Sequence, residues 1–207
     1  MTLSATEVEQ LKHAPATEEI LPVVRVRWSP RSFSDRAVSS ADLRKVFEAA
    51  RWAPSSFNEQ PWRFILGLRN TDAYQKIGSA LAPFNQQWAL KAPVLILGAA
   101  KTHFSHDNKP NGFHIFDLGA ASAFITLQAA ELGISTHQMA GYDKDVAREA
   151  LQIPDEFDLG SIMALGYQGE PSSLTNEQML KQEISPRTRK PLSEIILSAW
   201  GEPAKLD

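Results

Sequence analysis

Two pairs of arginines have a spacing suited to holding a phosphate group. Arg27 and Arg31 are four positions apart, so both guanidinium groups would lie on one side of a helix. Arg187 and Arg189 are two positions apart and would share one side of an extended segment. Arginine gives phosphate oxygens parallel, charge-assisted hydrogen bonds, which are strong. Either pair suits a phosphate, although arginine pairs taken alone more often belong to a solvated surface.

A polar loop offers a second kind of chemistry. Residues 53–62 read Ala-Pro-Ser-Ser-Phe-Asn-Glu-Gln-Pro-Trp, with two prolines bounding the polar part ahead of an apolar run. Asn58 and Gln60 would point the same way if this loop is extended. Their amides combine donors with acceptors, which suits the carbonyls, ring nitrogens and hydroxyls of a flavin. The alternative is a turn whose serine and asparagine side chains bind their own backbone.

The residue inventory excludes several other kinds of site. None of the 11 glycines forms Gly-x-Gly, so side chains rather than a Rossmann or Walker-type loop must hold any nucleotide. The chain has no cysteine, which excludes disulfides, thiolate nucleophiles and iron–sulfur clusters. It has no Gly-x-Ser-x-Gly elbow of a hydrolase. His103, His106 and Asp107 lack a fourth ligand, so we expect no metal. His137 either shapes a pocket or is a structural histidine.

The charge balance and the hydropathy of the chain limit which partners and which cellular location we expect. The 21 basic and 24 acidic residues nearly cancel, so we expect neither a nucleic acid nor an anionic membrane as partner. Residues 1–10 lack the basic and apolar pattern of a secretory signal. The longest apolar run, residues 92–100, is about half the ~20 residues that a membrane span needs. We therefore expect a cytoplasmic protein.

The elements that must position these residues indicate an α+β protein. Ser39 or Ser40 can cap a helix that ends before Pro54, with apolar residues at i, i+3, i+4 and i+7. Apolar runs at 62–68, 94–99 and 162–167 predict buried strands. Residues 114–132 predict a long helix that Gly133 terminates. The order of these elements is not the regular alternation of a doubly wound sheet.

We expect one domain over residues 1–207, with a helical extension at 1–20 and a C-terminal arm at 171–207. The stretch 171–190 is polar enough to be an extended arm rather than core. Small residues along the long helix, such as Gly119, Ala121 and Ala129, permit close approach of other backbones. That helix is therefore a central core helix, and part of it also suits packing on a second subunit.

Longer strings in the chain resemble a known family. Residues 27–33 resemble the Arg-x-Ser-x-Arg/Lys-x-Phe opening of the nitroreductase family, and residues 53–62 resemble its Ala-Pro-Ser-Ser-x-Asn-x-Gln-Pro-Trp signature. Phe84-Asn85, residues 137–143 and residues 187–192 also match in type and order. The resemblance implies a central, mostly antiparallel sheet surrounded by helices. It also implies a homodimer in which the C-terminal arm reaches the partner subunit.

The resemblance further implies an FMN site. It places Arg27, Ser29, Arg187 and Arg189 at the phosphate, with the last two arriving from the partner subunit or its neighbourhood. Around the ribityl chain and the flavin it places Pro54, Ser55, Ser56, Asn58, Gln60 and Asn85, with the backbone of Met139, Ala140 and Gly141 near N5. Trp28 lies within the cofactor-binding string, and Arg31 is the candidate to stabilise charge at flavin N1 and O2.

The implied activity is ping-pong hydride transfer from NADH or NADPH through FMN to a small electrophilic acceptor, such as a nitroaromatic, a quinone or an enone. No protein acid or base is required. Trp88 stands where some relatives carry a lysine, so a second cation near the flavin is missing. A lid would come from residues 101–112 or from the region around Pro171. The alternative is a flavin-binding carrier or sensor without rapid turnover.

Overall fold

The computed structural model describes residues 3–206, and its first part is helical. It contains α1 (Ala5–Leu11), α2 (Pro22–Val26) and α3 (Ser40–Arg51). Ser39 caps α3, because its hydroxyl accepts a hydrogen bond of 3.0 Å from the backbone N–H of Asp42. The capped helix that the sequence predicts before Pro54 is therefore confirmed.

One antiparallel sheet forms the centre of the molecule. Its strands are β1 (Trp62–Leu68), β2 (Val94–Lys101), β3 (Ser135–Met139) and β4 (Phe157–Gly166), in the order β1-β2-β4-β3. The predicted strand at 62–68 is confirmed, whereas β4 begins at Phe157 rather than at residue 162. The sequence analysis missed β3, whose polar residues do not give an apolar run, although they pair with residues 162–166 of β4.

Helices cover both faces of this sheet. Successive residues of a strand point to opposite faces, so β2 contributes Leu95 and Leu97 to one core and Val94 and Ile96 to the other. The first core includes residues of α4 (Asp72–Ala80), α5 (Pro83–Ala89) and α7 (Lys144–Leu151). The second core includes α3 and the long helix α6 (His114–Glu131).

The predicted end of the long helix is confirmed. Gly133 follows α6 with a φ of +68°, a left-handed conformation that glycine adopts without a steric penalty. Because β3 starts at Ser135, the turn at Gly133 connects α6 directly to the edge strand of the sheet. Among the helices of residues 3–206, none is long and apolar enough to cross a membrane.

The C-terminal part differs from the expected extended arm. Residues 171–184 include α8 (Glu177–Glu183) and pack on the chain's own core, with Leu174 and Met179 buried. The expectation of an arm that begins at residue 171 is therefore wrong, because these apolar side chains cover the core beside Phe33. The hairpin of β5 (Leu197–Ala199) and β6 (Glu202–Pro203) is exposed.

Candidate functional site

Residues 27–32, the arginine loop, follow α2 and are not helical. Arg27 is the C-terminal cap of α2 with φ −59° and ψ 124°, so the condition under which Arg27 and Arg31 would share one side, a helical segment, is not met. Pro30 explains this, because a proline disfavours the helical conformation of the residue before it. The Ser29 hydroxyl accepts a hydrogen bond of 3.2 Å from Nη1 of Arg27.

Three guanidinium groups converge at this loop within one chain. Burial lowers the pKa of Arg27, and the positive charges of Arg187 and Arg189 lower it further. Among the ion pairs of residues 3–206, none joins these three arginines to a carboxylate. The sequence analysis expects Arg187 and Arg189 from the neighbourhood of a partner, but the chain's own fold brings them to Arg27. Uncompensated like charges of this kind fit a phosphate dianion.

Arg187 also ties two segments of backbone together. Its Nη1 donates to the carbonyl oxygens of Lys12 at 2.9 Å and of Arg25 at 3.1 Å. Arg189 donates only to the adjacent carbonyl of Thr188, at 2.7 Å, and is exposed. Arg189 therefore has more donors free for a ligand, while Arg187 contributes charge and position.

His137 holds the arginine loop against β3. Its Nδ1–H donates to the carbonyl oxygen of Pro30 at 2.9 Å, and its ring centroid lies 4.5 Å from that of Trp88. Burial lowers the pKa of His137 to about 4, with smaller contributions from the charges of Arg31 and Arg27. His137 is therefore neutral near pH 7, and it serves as a structural tie.

Two donors beside His137 have no hydrogen-bond partner among residues 3–206. The Arg31 guanidinium carbon lies 5.8 Å from the Trp88 ring centroid, and both Arg31 Nε and Trp88 Nε1 are buried without a hydrogen bond. Unpaired buried donors are costly, so a ligand that brings acceptors would stabilise this arrangement. The carbonyl and nitrogen edge of a flavin is such a ligand. Since Trp88 itself is 1% exposed, it fills the position of the missing lysine as a core side chain.

The residues after β3 lie beside the start of α5. Asn85 Nδ2 donates to the carbonyl oxygen of Gly141 at 2.8 Å, and a Cβ at Gly141 would lie 2.7 Å from that nitrogen. Ala140 and Gly141 are exposed, whereas the Met139 side chain is buried in the core, leaving only its backbone for a cofactor. Trp28 is likewise buried, with the Lys12 ammonium 4.7 Å from its ring centroid.

Residues 54–60, the amide loop, have a different geometry from the expected one. Phe57, Asn58 and Gln60 have φ values of +52°, +53° and +52°. The loop is therefore not extended, and the condition under which Asn58 and Gln60 would point the same way is not met. The loop also bonds to itself. Ser55 Oγ accepts from the Gln60 N–H at 3.0 Å, and Gln60 Nε2 donates to the Asn58 carbonyl at 2.9 Å. Pro54, Asn58 and Gln60 are exposed, and Ser55 and Ser56 are half-buried.

The sheet keeps the amide loop away from the arginine loop of the same chain. The amide loop precedes β1 at one edge, and His137, which bonds the arginine loop, lies on β3 at the other edge. Neighbouring strands are about 4.8 Å apart, so the outer strands of four are roughly 14 Å apart. One chain therefore brings Arg187 and Arg189 to Arg27 and pairs Asn85 with Gly141, whereas the amides of residues 54–60 lie at the other edge of the sheet.

Comparison with known proteins identifies the family of this chain. The model of the nitroreductase family matches residues 24–85 and 70–167, which together span most of the chain. The chain belongs to the nitroreductase family. Both loops and the strands that carry them lie inside the matched residues, whereas Arg187 and Arg189 lie beyond them.

Individual nitroreductase relatives cover most of the fold. A protein of Archaeoglobus fulgidus, provisionally named NADH dehydrogenase/NAD(P)H nitroreductase, is 32% identical over 72% of this chain and 86% of its own length. A solved structure described as an oxidoreductase containing FMN is 33% identical, with a TM-score of 0.83 over 88% of this chain and 93% of that one. A nitroreductase family protein from Clostridium difficile 630 is 27% identical, with a TM-score of 0.68 over 87% of this chain and 98% of its own.

The sequence analysis did not identify three buried polar residues near the site. Asp117 is 3% exposed, and its carboxylate accepts from the backbone N–H of Ser56 at 3.1 Å. Lys12 and Glu183 are also buried and bond to the segments that carry the arginines. Of these three residues, only Asp117 had a signal in the sequence, because it is a charged residue within the apolar helix α6. Within residues 3–206, no three metal-binding side chains gather at one place.

Proposed function

We propose that this nitroreductase is an FMN-dependent oxidoreductase that passes electrons from NADH or NADPH to a small electrophilic acceptor by a ping-pong cycle. The observation that carries the proposal is the convergence of Arg27, Arg187 and Arg189 without a carboxylate partner. The similar oxidoreductase that contains FMN and the relative named for NAD(P)H support the cofactor and the donor.

The residues present fit FMN from the phosphate to the ring. Arg27, Ser29 and Arg189 would hold the phosphate, with Arg187 adding positive charge. Arg31 Nε and Trp88 Nε1, both buried and unpaired, would donate to acceptors on the pyrimidine part. Bound FMN would supply the hydride chemistry. The protein then needs to bind and orient the flavin and to stabilise its negative charge, and it does not need to transfer a proton. The Arg31 guanidinium lies 5.8 Å from the Trp88 ring centroid, and we assign Arg31 the stabilisation of negative charge on the flavin ring.

The site also needs a second copy of the chain. Because the amide loop lies at the opposite sheet edge, we propose a homodimer in which residues 54–60 of one subunit complete the cofactor site of the other. Exposed aromatic residues support this, since Phe57 is 83% exposed and Phe116 is 75% exposed on α6. In the C-terminal arm, Trp200 is 99% exposed. We propose that this arm, residues 192–206, packs on the partner subunit.

The absorption spectrum of the purified protein tests the cofactor and the activity together. We expect a flavin spectrum with about one FMN per chain, which NADH or NADPH bleaches in the absence of oxygen and an acceptor such as a quinone restores. Colourless protein that does not take up added FMN would contradict the FMN assignment. A flavin spectrum that neither NADH nor NADPH bleaches would instead support the carrier or sensor.

A further inference from the structure

The N-terminal segment lies outside the matched residues, yet it packs closely on the cofactor site. The family match begins at residue 24, whereas α1 starts at Ala5 with a capping box and buries Val8 completely. The Ala5 N–H donates to the Glu170 carboxylate at 3.1 Å. The Ala14 N–H donates to the Arg25 carbonyl at 2.8 Å, two residues before Arg27. The segment is therefore fixed at both of its ends.

Lys12 contacts both arginine-bearing parts of the site. One of these parts is residues 182–189, the tail segment. Lys12 Nζ donates a hydrogen bond of 2.7 Å to the carbonyl oxygen of Gln182 in this segment. The same ammonium lies 4.7 Å from the ring centroid of Trp28, next to Arg27. The Lys12 carbonyl oxygen accepts from Arg187 at 2.9 Å. Since Lys12 is only 5% exposed, these contacts are sheltered from water.

Glu183 completes the connection from the tail segment to the arginine loop. Its carboxylate accepts from the backbone N–H of Arg31 at 3.1 and 3.0 Å and from that of Ser32 at 3.0 Å. Burial raises the pKa of Glu183, while these backbone donors and the charges of Lys12 and Arg31 act in the opposite direction. Lys12 is thus a cation that compensates a carboxylate only 1% exposed.

The contacts of Lys12 and Glu183 affect the arginines at the phosphate end of the site. Arg27, Arg187 and Arg189 repel one another, which tends to push the arginine loop and the tail segment apart. A phosphate binds more tightly when its donors are already held in place, because less ordering is needed on binding. A tie between the arginine loop and the tail segment provides that preorganisation.

We propose that Lys12 is a positioning residue for the FMN phosphate, acting by fastening the arginine loop to the tail segment. The proposal rests on the proposed FMN site. It assigns a role in cofactor affinity to a segment that precedes the matched part of the family. Lys12 itself does not touch the phosphate in this arrangement.

The test compares FMN with riboflavin, which lacks the phosphate, in the full-length protein. Lys12→Met keeps the unbranched stem against Trp28 and removes the ammonium. We expect the Kd of FMN to rise about tenfold, which corresponds to roughly 1.4 kcal/mol, while the Kd of riboflavin changes less than about twofold. Lys12→Arg keeps a cation and donors, so it should restore FMN affinity to within about threefold. Lys76→Met is the matched control, because the Lys76 side chain lies on the solvent side of α4, and it should bind FMN like the parent.

The results for these variants distinguish the Lys12 proposal from the proposed function. FMN affinity unchanged in Lys12→Met overturns the proposal, and so does an equal loss for FMN and riboflavin, because that result indicates a general structural role. If Lys12→Met does not fold, Lys12→Gln keeps a donor without the charge and must still show the phosphate-selective loss. A parent protein that binds neither ligand contradicts the proposed function itself. Phosphorus NMR of bound FMN is a second readout, since a shift of its phosphate signal in Lys12→Met but not in Lys76→Met is required.

Discussion

His137 Nδ1 lies 2.9 Å from the carbonyl oxygen of Pro30, which joins the edge strand β3 to the arginine loop across 107 positions of sequence. The donor must be the Nδ1–H, because a carbonyl can only accept. The ring also packs against Trp88 at an interplanar angle of 42°, so one side chain connects the strand, the loop and α5. The His137 hydrogen bond therefore helps to fix Pro30 and, with it, the adjacent Arg31.

Acid should destabilise the fold through His137. Its pKa is lowered from 6.5 to about 4 in the folded protein, so between these values the unfolded chain binds the additional proton. Stability is then fully present above pH 6.5 and falls as the pH drops towards 4, by roughly 3 kcal/mol at most. Urea unfolding at pH 7 and pH 4.5 measures this loss.

The variant His137→Phe isolates that contribution. It keeps a ring against Trp88 but neither titrates nor donates to Pro30, so it should be less stable at pH 7 and lose less stability on acidification. The control His13→Phe replaces an exposed histidine and should follow the parent. A parent and a His137→Phe variant with the same pH dependence would exclude His137 as the titrating group.

Arg27→Ala and Arg189→Ala should weaken FMN binding at least tenfold. Each substitution removes charge-assisted hydrogen bonds worth on the order of 1.5–3 kcal/mol. Riboflavin affinity should barely respond, because riboflavin has no phosphate. Fluorescence titration with both ligands measures the difference, and Arg44→Ala, which replaces an exposed side chain of α3, is the control. Unchanged FMN affinity in both variants would show that the phosphate binds elsewhere.

Gly141→Ala should disturb the cofactor site without unfolding the protein. The new Cβ would lie 2.7 Å from Asn85 Nδ2, so the amide must move and its bond to the Gly141 carbonyl is lost. We expect weaker FMN binding and a changed flavin spectrum, with a melting temperature close to that of the parent. Gly112→Ala, where a Cβ meets nothing within 4 Å, should leave both unchanged. Parent-like FMN affinity in Gly141→Ala would argue against a contact there.

Asp117 should prove necessary for the amide loop. Asp117→Ala leaves the Ser56 N–H without its acceptor, which typically costs about 1–3 kcal/mol. Asp117→Asn retains an oxygen acceptor and should preserve more stability and more FMN affinity than Asp117→Ala. Urea unfolding and FMN titration give the two comparisons. Equal loss in both variants would indicate that the carboxylate's charge, rather than its hydrogen bond, is required.

The mass in solution tests the proposed dimer. We expect light scattering at micromolar concentration to give twice the chain mass of 22.9 kDa. Removal of residues 192–207 should shift the protein towards the monomer and weaken FMN binding, because the partner then contributes less to the site. A monomer mass with FMN fully bound would contradict the proposed sharing of the amide loop.

Local sequence signals were sufficient for several elements. The Ser39 cap, the apolar spacing of α3 and the glycine that follows α6 depend on residues within a few positions of one another. The run at 62–68 likewise predicts β1 because its residue types favour a buried strand. In contrast, β3 carries Thr136, His137 and Gln138, and it is a strand because β4 offers it a partner.

The sequence by itself determined the family resemblance, the candidate residues and the absence of cysteine chemistry, since these depend on residue types and their order. Only the tertiary structure decided how the candidates group. It brought Arg189 to Arg27, placed the amide loop at the opposite sheet edge, and made Lys12 and Glu183 part of the site. The physical reason is that long-range charge, burial and strand order arise from packing between distant segments, which local residue patterns do not encode.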